Sequence, residues 1–212
     1  MKRNHLPPLL TLLFLLSVGY SAEIAHEPSG IYKTIDVRLA NDTIKMLRRG
    51  KEKARAELIK KIISSPENYA PPGLYLTSSI LFEAKKRDEA MFWFYAGQLR
   101  GRIDANICAD KTAGSGVGVL NDMFGVPINQ YAFKDVSKLK QTVEQVLEWE
   151  EKTECKYDRR WINLHGLRAF PGDTNAVLSA PKEDWDKIRK KTREEYRSSF
   201  YELLESLNAK KP

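Results

Sequence analysis

The chain has 212 residues, with 35 Lys and Arg against 28 Asp and Glu, a net charge of +7, and 42% hydrophobic residues. That content excludes a disordered chain and supplies one domain with a real core. The 2 Cys and 3 His are too scattered for zinc-ligand spacing, so neither a metal nor a cofactor is expected.

Lys2, Arg3 and His5 open the chain, and Leu6 to Tyr20 follow as an apolar run. That run of about 15 residues is short of the roughly 20 a spanning helix needs. Small residues at Gly19, Ser21 and Ala22 then offer a cleavage point. Residues 1–22 read as an export signal cut near Ser21/Ala22, with an uncleaved anchor as the alternative. A lipid anchor through an N-terminal Cys is excluded, since no Cys lies near the junction. Removing Lys2 and Arg3 lowers the net charge from +7 to +5. Residues 23–212 then form a single mostly helical domain that is periplasmic or secreted.

His26 to Asp36 is a polar, turn-rich lead-in. Asp42 to Ile63 carries Leu47, Ala54, Leu58, Ile59, Ile62 and Ile63 at helical spacing, with Gly50 able to split it into two helices. Pro66 and Pro71-Pro72-Gly73 mark breaks. Leu74 to Lys86 is the next helix, and Asp88 is placed to cap the one after it, Glu89 to about Ile103. Phe92, Trp93, Phe94 and Tyr95 point all around that helix, which places it in the middle of the domain. Ala109 to Gly118 reads as a flexible loop, followed by a short helix from Val119 to Phe124 that Gly125-Val126-Pro127 stops. After an irregular INQYAFKD stretch, Asp135 caps a helix to about Lys152. Tyr157 to Thr174 is irregular. The last helix opens on Ser179 as cap with Pro181 in its first turn. Its stripe is Trp185, Ile188, Tyr196, Phe200, Leu203 and Leu207. The fold class is all-α: roughly six helices around a central aromatic-rich αα-hairpin, with ordered loops.

The hairpin from Leu74 to Arg102 resembles one tetratricopeptide or Sel1-like repeat. Ser78 is small where the first helix packs closely, Ala90, Phe94 and Gly97 match the second helix, and Asp88-Glu89-Ala90 resembles the Sel1-type turn. The resemblance covers one copy, whereas such arrays normally stack three or more. The strings FWFYAGQLR (92–100) and PINQYAFKD (127–135) look like pieces of an uncharacterised bacterial protein family, which implies that both belong to one domain.

Several residue sets bear on chemistry. Cys108 and Cys155 are a candidate disulfide in an oxidising compartment, with two unpaired thiols as the alternative. Ser115 lies in GSG, which is not the nucleophile elbow. Gly114, Gly116 and Gly118 alternate near Lys111, but neither glycine-rich phosphate motif is complete. Lys45, Arg48, Arg49, Lys51, Lys53, Arg55, Lys60 and Lys61 form a basic face opposed by Glu52 and Glu57. It suits an anionic surface or an acidic partner. Nucleic acid is not expected, because aromatic interleaving is missing and the compartment is wrong. Gln98, Arg102, Asn129, Tyr131, Asn163 and His165 would make a polar binding pocket if the loops converge on the aromatic helix. The alternative is a buried network that satisfies loop backbone. No catalytic residue is assigned. The leading function is binding a protein partner in the cell envelope, as an adaptor or an immunity-type protein. The alternatives are an envelope enzyme using Arg102 and His165, and a membrane-surface scaffold using the basic face.

Overall fold

In the computed structural model the described residues are 28–169 and 175–209. The expected leader at residues 1–22 lies outside them.

Helices α1 (Arg38–Arg49) and α2 (Glu52–Ser64) are the two halves of the Asp42–Ile63 segment. They part at Gly50, whose extended backbone donates its N–H to the Met46 carbonyl and ends α1. Ile44, Leu47 and Ile62 face the core. The lead-in is less loose than its composition implies. It forms a 3-10 turn at Gly30–Thr34, and Tyr32 and Ile35 pack with Leu164, Ala176 and Leu178 in a small cluster of their own.

Helix α3 (Pro71–Glu83) starts on the two prolines, earlier than the expected Leu74, because proline fits a first turn whose N–H groups have no helical acceptor. It ends where Lys85 takes a left-handed backbone, φ 66°, and Lys86 N–H reaches back to the Leu81 carbonyl. Helix α4 (Arg87–Ile107) follows at once. Asp88 does not cap it. It lies inside the first turn, accepting from Tyr131 Oη at 2.6 Å and Lys138 Nζ at 3.0 Å, where a carboxylate also suits the helix dipole.

The aromatic helix α4 is the axis of the fold: α3 pairs with it as an antiparallel hairpin, and α5, α6 and α7 pack around it. Trp93, Phe94 and Tyr95 are buried and Phe92 half-buried. The hairpin closes tightly at Gly97, where a Cβ would stand 3.1 Å from the Tyr75 ring.

Helix α5 (Ser115–Ala132) overturns two expectations. The flexible loop becomes a 3-10 turn, Lys111–Gly114, held by the Asp110 carboxylate on Thr112 N–H, and it runs directly into α5. The expected stop at Gly125-Val126-Pro127 lies inside the helix. Val117, Leu120, Gly125, Ile128 and Ala132 are buried at helical spacing, and Gly125 lets the helix lie against Phe94. Pro127 is exposed, so the carbonyl it cannot serve can turn to water.

Helix α6 (Val136–Lys152) is capped as expected by the Asp135 carboxylate, which accepts from Lys138 N–H at 3.0 Å. Helix α7 (Trp185–Ala209) begins later than expected, after a 3-10 turn at Lys182–Asp184. Ser179 is not its cap, since it forms an antiparallel bridge with Cys108. Of its expected stripe Tyr196 is buried, Trp185, Ile188 and Phe200 are half-buried, and Leu203 and Leu207 are exposed; Leu204, outside that stripe, is buried instead. No strand forms among the described residues, and none of their helices is long and apolar enough to cross a membrane.

Candidate functional site

Two surfaces of α4 carry its polar groups, and they differ in kind. On one, Asp104 is fully buried and accepts three hydrogen bonds: Tyr157 Oη at 2.7 Å, Arg159 at 2.7 Å and Trp161 Nε1 at 2.8 Å. Burial pushes its carboxyl above the usual range, against the pull of Arg159 and the neutral donors. This hub fastens the segment after α6, including the 3-10 helix Arg159–His165, onto α4. Asn163 joins the same layer, accepting from Cys108 Sγ at 3.0 Å and donating to the Arg160 carbonyl at 3.0 Å. The alternative reading of these loop residues, a network that satisfies backbone, fits Asn163.

The disulfide expectation is not met: Cys108 and Cys155 are both free. Cys108 is occupied by Asn163 at the end of α4, whereas Cys155 lies beside Tyr157 beyond α6. Burial pushes both thiols up to about 11, which leaves them protonated and unreactive at neutral pH.

The other surface of α4 is an open groove of about 560 Å³ between α4, the N-terminal half of α5 and α7. Arg102 and Asn106 line it from α4; Gly114, Val117, Gly118 and Asn121 from the α5 side; Thr192, Glu195, Tyr196 and Ser199 from α7. Behind its lining a chain of side-chain hydrogen bonds joins Tyr196 to Asn121. Tyr196 Oη donates to Gln98 Oε1 at 2.6 Å, and Gln98 Nε2 donates to Asn121 Oδ1 at 2.9 Å. Asn121 Oδ1 also accepts from Tyr75 Oη at 2.7 Å. Burial pushes the Tyr75 and Tyr196 hydroxyls far above their ordinary range, so both stay protonated donors. Arg102 is exposed, and its guanidinium lies over the Tyr196 ring, 5.3 Å from the centroid.

The six residues singled out from sequence therefore divide. Arg102 lines the groove, whereas Gln98 does not line it and lies behind it as the hydrogen-bonded link between Tyr196 and Asn121. Asn129 accepts from Tyr95 Oη at 2.8 Å, and Tyr131 donates to Asp88. His165 packs against the Trp161 ring and against Gly116. Gly116 points away from the groove that Gly114 and Gly118 line, so His165 lies behind α5 rather than beside Arg102. Burial holds the His165 imidazole below its ordinary pKa. Lys111 is also committed, donating to the Asn106 and Cys108 carbonyls at the end of α4.

Sequence reasoning missed Asn121, and it weighed Gly114 and Gly118 as a loop motif for phosphate rather than as part of a helical groove wall. The signal was there: Gly114, Val117, Gly118 and Asn121 fall on one helical face, but only once the segment is read as a helix. Tyr196 was visible as a core residue, without its second role as a platform. On the basic face, Lys45, Arg48, Arg49, Lys51, Lys53, Lys60 and Lys61 are exposed and Arg55 is half-buried. Lys60 pairs with Glu57 at 3.1 Å.

No protein-family model matches the chain, and no solved structure does. A Haemophilus influenzae protein described as uncharacterized is 29% identical over 146 residues, which is 67% of this chain and 54% of that protein. The chain thus spans about half the length of the curated relative it matches.

Proposed function

We propose that this is an exported protein that works in the cell envelope by binding another protein, and that it takes a segment of that partner into the groove between α4, α5 and α7. The observation that carries this reading is the groove itself. Gly114 and Gly118 open the α5 wall beside Val117 and Asn121, and Tyr196 and Asn121 are already tied together through Gln98 before anything binds. The basic-apolar leader at residues 1–22 supports the location. An adaptor or an immunity-type protein is the class of role this fits. The exposed lysines of α1 and α2 support an additional contact with anionic lipid, which vesicle sedimentation should show weakening as salt is raised.

The test is a plug. A Cβ at Gly118 would meet nothing within 4 Å, so Gly118→Phe fills the groove without a clash at the backbone. Mature protein isolated from its native envelope should carry a partner that the Gly118→Phe protein, equally folded, does not. A partner retained by both proteins would refute the groove as the binding surface.

A further inference from the structure

We propose that the groove recognises a carboxylate on its partner and that Arg102 is the group that holds it. This rests on the groove being the working surface. The described guanidiniums of α7, none of which lines the groove, are already held by carboxylates of this chain. Arg189 and Arg193 share Glu150, at 3.0 and 2.7 Å, and Arg197 holds Glu144 at 2.9 Å. Arg102 makes no such pair among the described residues. Its contact is the face of Tyr196.

That contact positions it. A guanidinium held over a ring face by cation–π attraction spends no N–H on that contact, so its donors stay available to take a carboxylate by two parallel hydrogen bonds. The ring does not drift, because Tyr196 Oη is anchored to Gln98 and through it to Asn121. The Asn121 carbonyl oxygen is used twice, by Gln98 and Tyr75, which leaves its amide N–H groups as a second donor on the α5 side of the groove.

The charge count selects the anion. The lining has one cation, Arg102, and one carboxylate, Glu195, whose own partner is Lys191 at 3.5 Å. Lys111 is spent on carbonyls. With Glu195 offset by Lys191, the one remaining guanidinium matches a singly charged ligand group, whereas a phosphate dianion would carry more charge than Arg102 alone offsets. A carboxylate can come from a chain terminus or from an acidic side chain, and both present the same two oxygens.

The experiment titrates the 15N-labelled mature chain with three peptides: acetyl-Ala-Ala-Ala with a free C-terminus, acetyl-Ala-Glu-Ala-amide, and acetyl-Ala-Ala-Ala-amide as the uncharged control. The signals read are the Gly114 and Gly118 amides, the Asn121 side-chain NH2 and the Arg102 Nε–H. At least one carboxylate peptide should shift them saturably, and the control should not. Which peptide binds identifies the source as terminus or side chain. Arg102→Gln, with an unchanged melting temperature, should weaken binding by at least about tenfold, the scale of losing one charge-assisted pair. Equal shifts by the control, no saturable shift by about 10 mM of either carboxylate peptide, or wild-type binding by Arg102→Gln would each overturn the proposal. If the envelope partner is lost on Gly118→Phe while the carboxylate peptides have no effect, the carboxylate inference fails and the groove reading stands. If Gly118→Phe keeps the partner, the groove reading fails first.

Discussion

Arg100 and Arg102 lie two residues apart on α4 and meet opposite surroundings. Arg100 is fully buried. It donates to the Pro66 carbonyl at 2.8 Å and the Glu154 carbonyl at 3.1 Å, and its guanidinium stacks on Trp149, 4.2 Å from the ring centroid. It ties two loops to the central helix. Arg102 lies over Tyr196 in an open groove and has no acceptor within the described chain. Both guanidiniums lie over an aromatic face, so that contact alone does not distinguish them. What distinguishes them is whether backbone has consumed the N–H groups. A guanidinium spent on carbonyls is a staple, and one left with its edge open is available to a ligand.

The buried surface should bear the stability, and the sharpest way to break that claim is at Asp104. Asp104→Ala leaves Arg159 buried without its counter-ion and should cost about 3–5 kcal/mol by urea unfolding. A loss no larger than a surface substitution would remove the hub from the account. Next is Arg100→Ala, which frees two loop carbonyls and uncovers Trp149. About 2–4 kcal/mol is expected, with faster amide exchange across 154–157 than elsewhere. Arg100 Nε already lacks a partner, which places this loss below that of Asp104. The third effect is smaller and depends on pH. Burial holds the His165 imidazole below its ordinary 6.5, so the unfolded chain takes a proton there that the folded chain resists. Stability should therefore fall as pH drops below about 6.5. His165→Gln should lose less stability than wild type between pH 7 and pH 5. An identical pH dependence would show that His165 titrates as if exposed.

The parts of the fold that local rules govern were legible in the sequence. Asp135 caps α6 as its spacing requires, and the aromatic run 92–95 marks the central helix because no amphipathic face can hold four consecutive rings. Helix α5 was not legible. Glycine and proline read as breaks, yet Gly125 is the contact point for Phe94 and Pro127 lies on the solvent side. Tertiary packing overrides both. The site suffered from the same error, since reading 109–118 as a loop hid the face that carries Gly114, Gly118 and Asn121. Gln98 and Arg102 were found because they lie one turn apart on a helix that was read correctly. His165 and Asn163 were grouped with them on polarity alone, and only the packing of 159–165 beneath α4 separates Asn163 into the buried layer. The cysteine pair failed for a related reason: compartment argues for a bond, but only geometry places two sulfurs.

The division of α4 into a stabilising surface and a binding surface rests most directly on the folding free energy of Arg102→Gln, measured by urea unfolding beside wild type. A residue poised for a ligand and unused by the fold should change that free energy by less than about 0.5 kcal/mol. A loss of about 2 kcal/mol or more would make Arg102 a staple like Arg100, and the groove would lose its anchor.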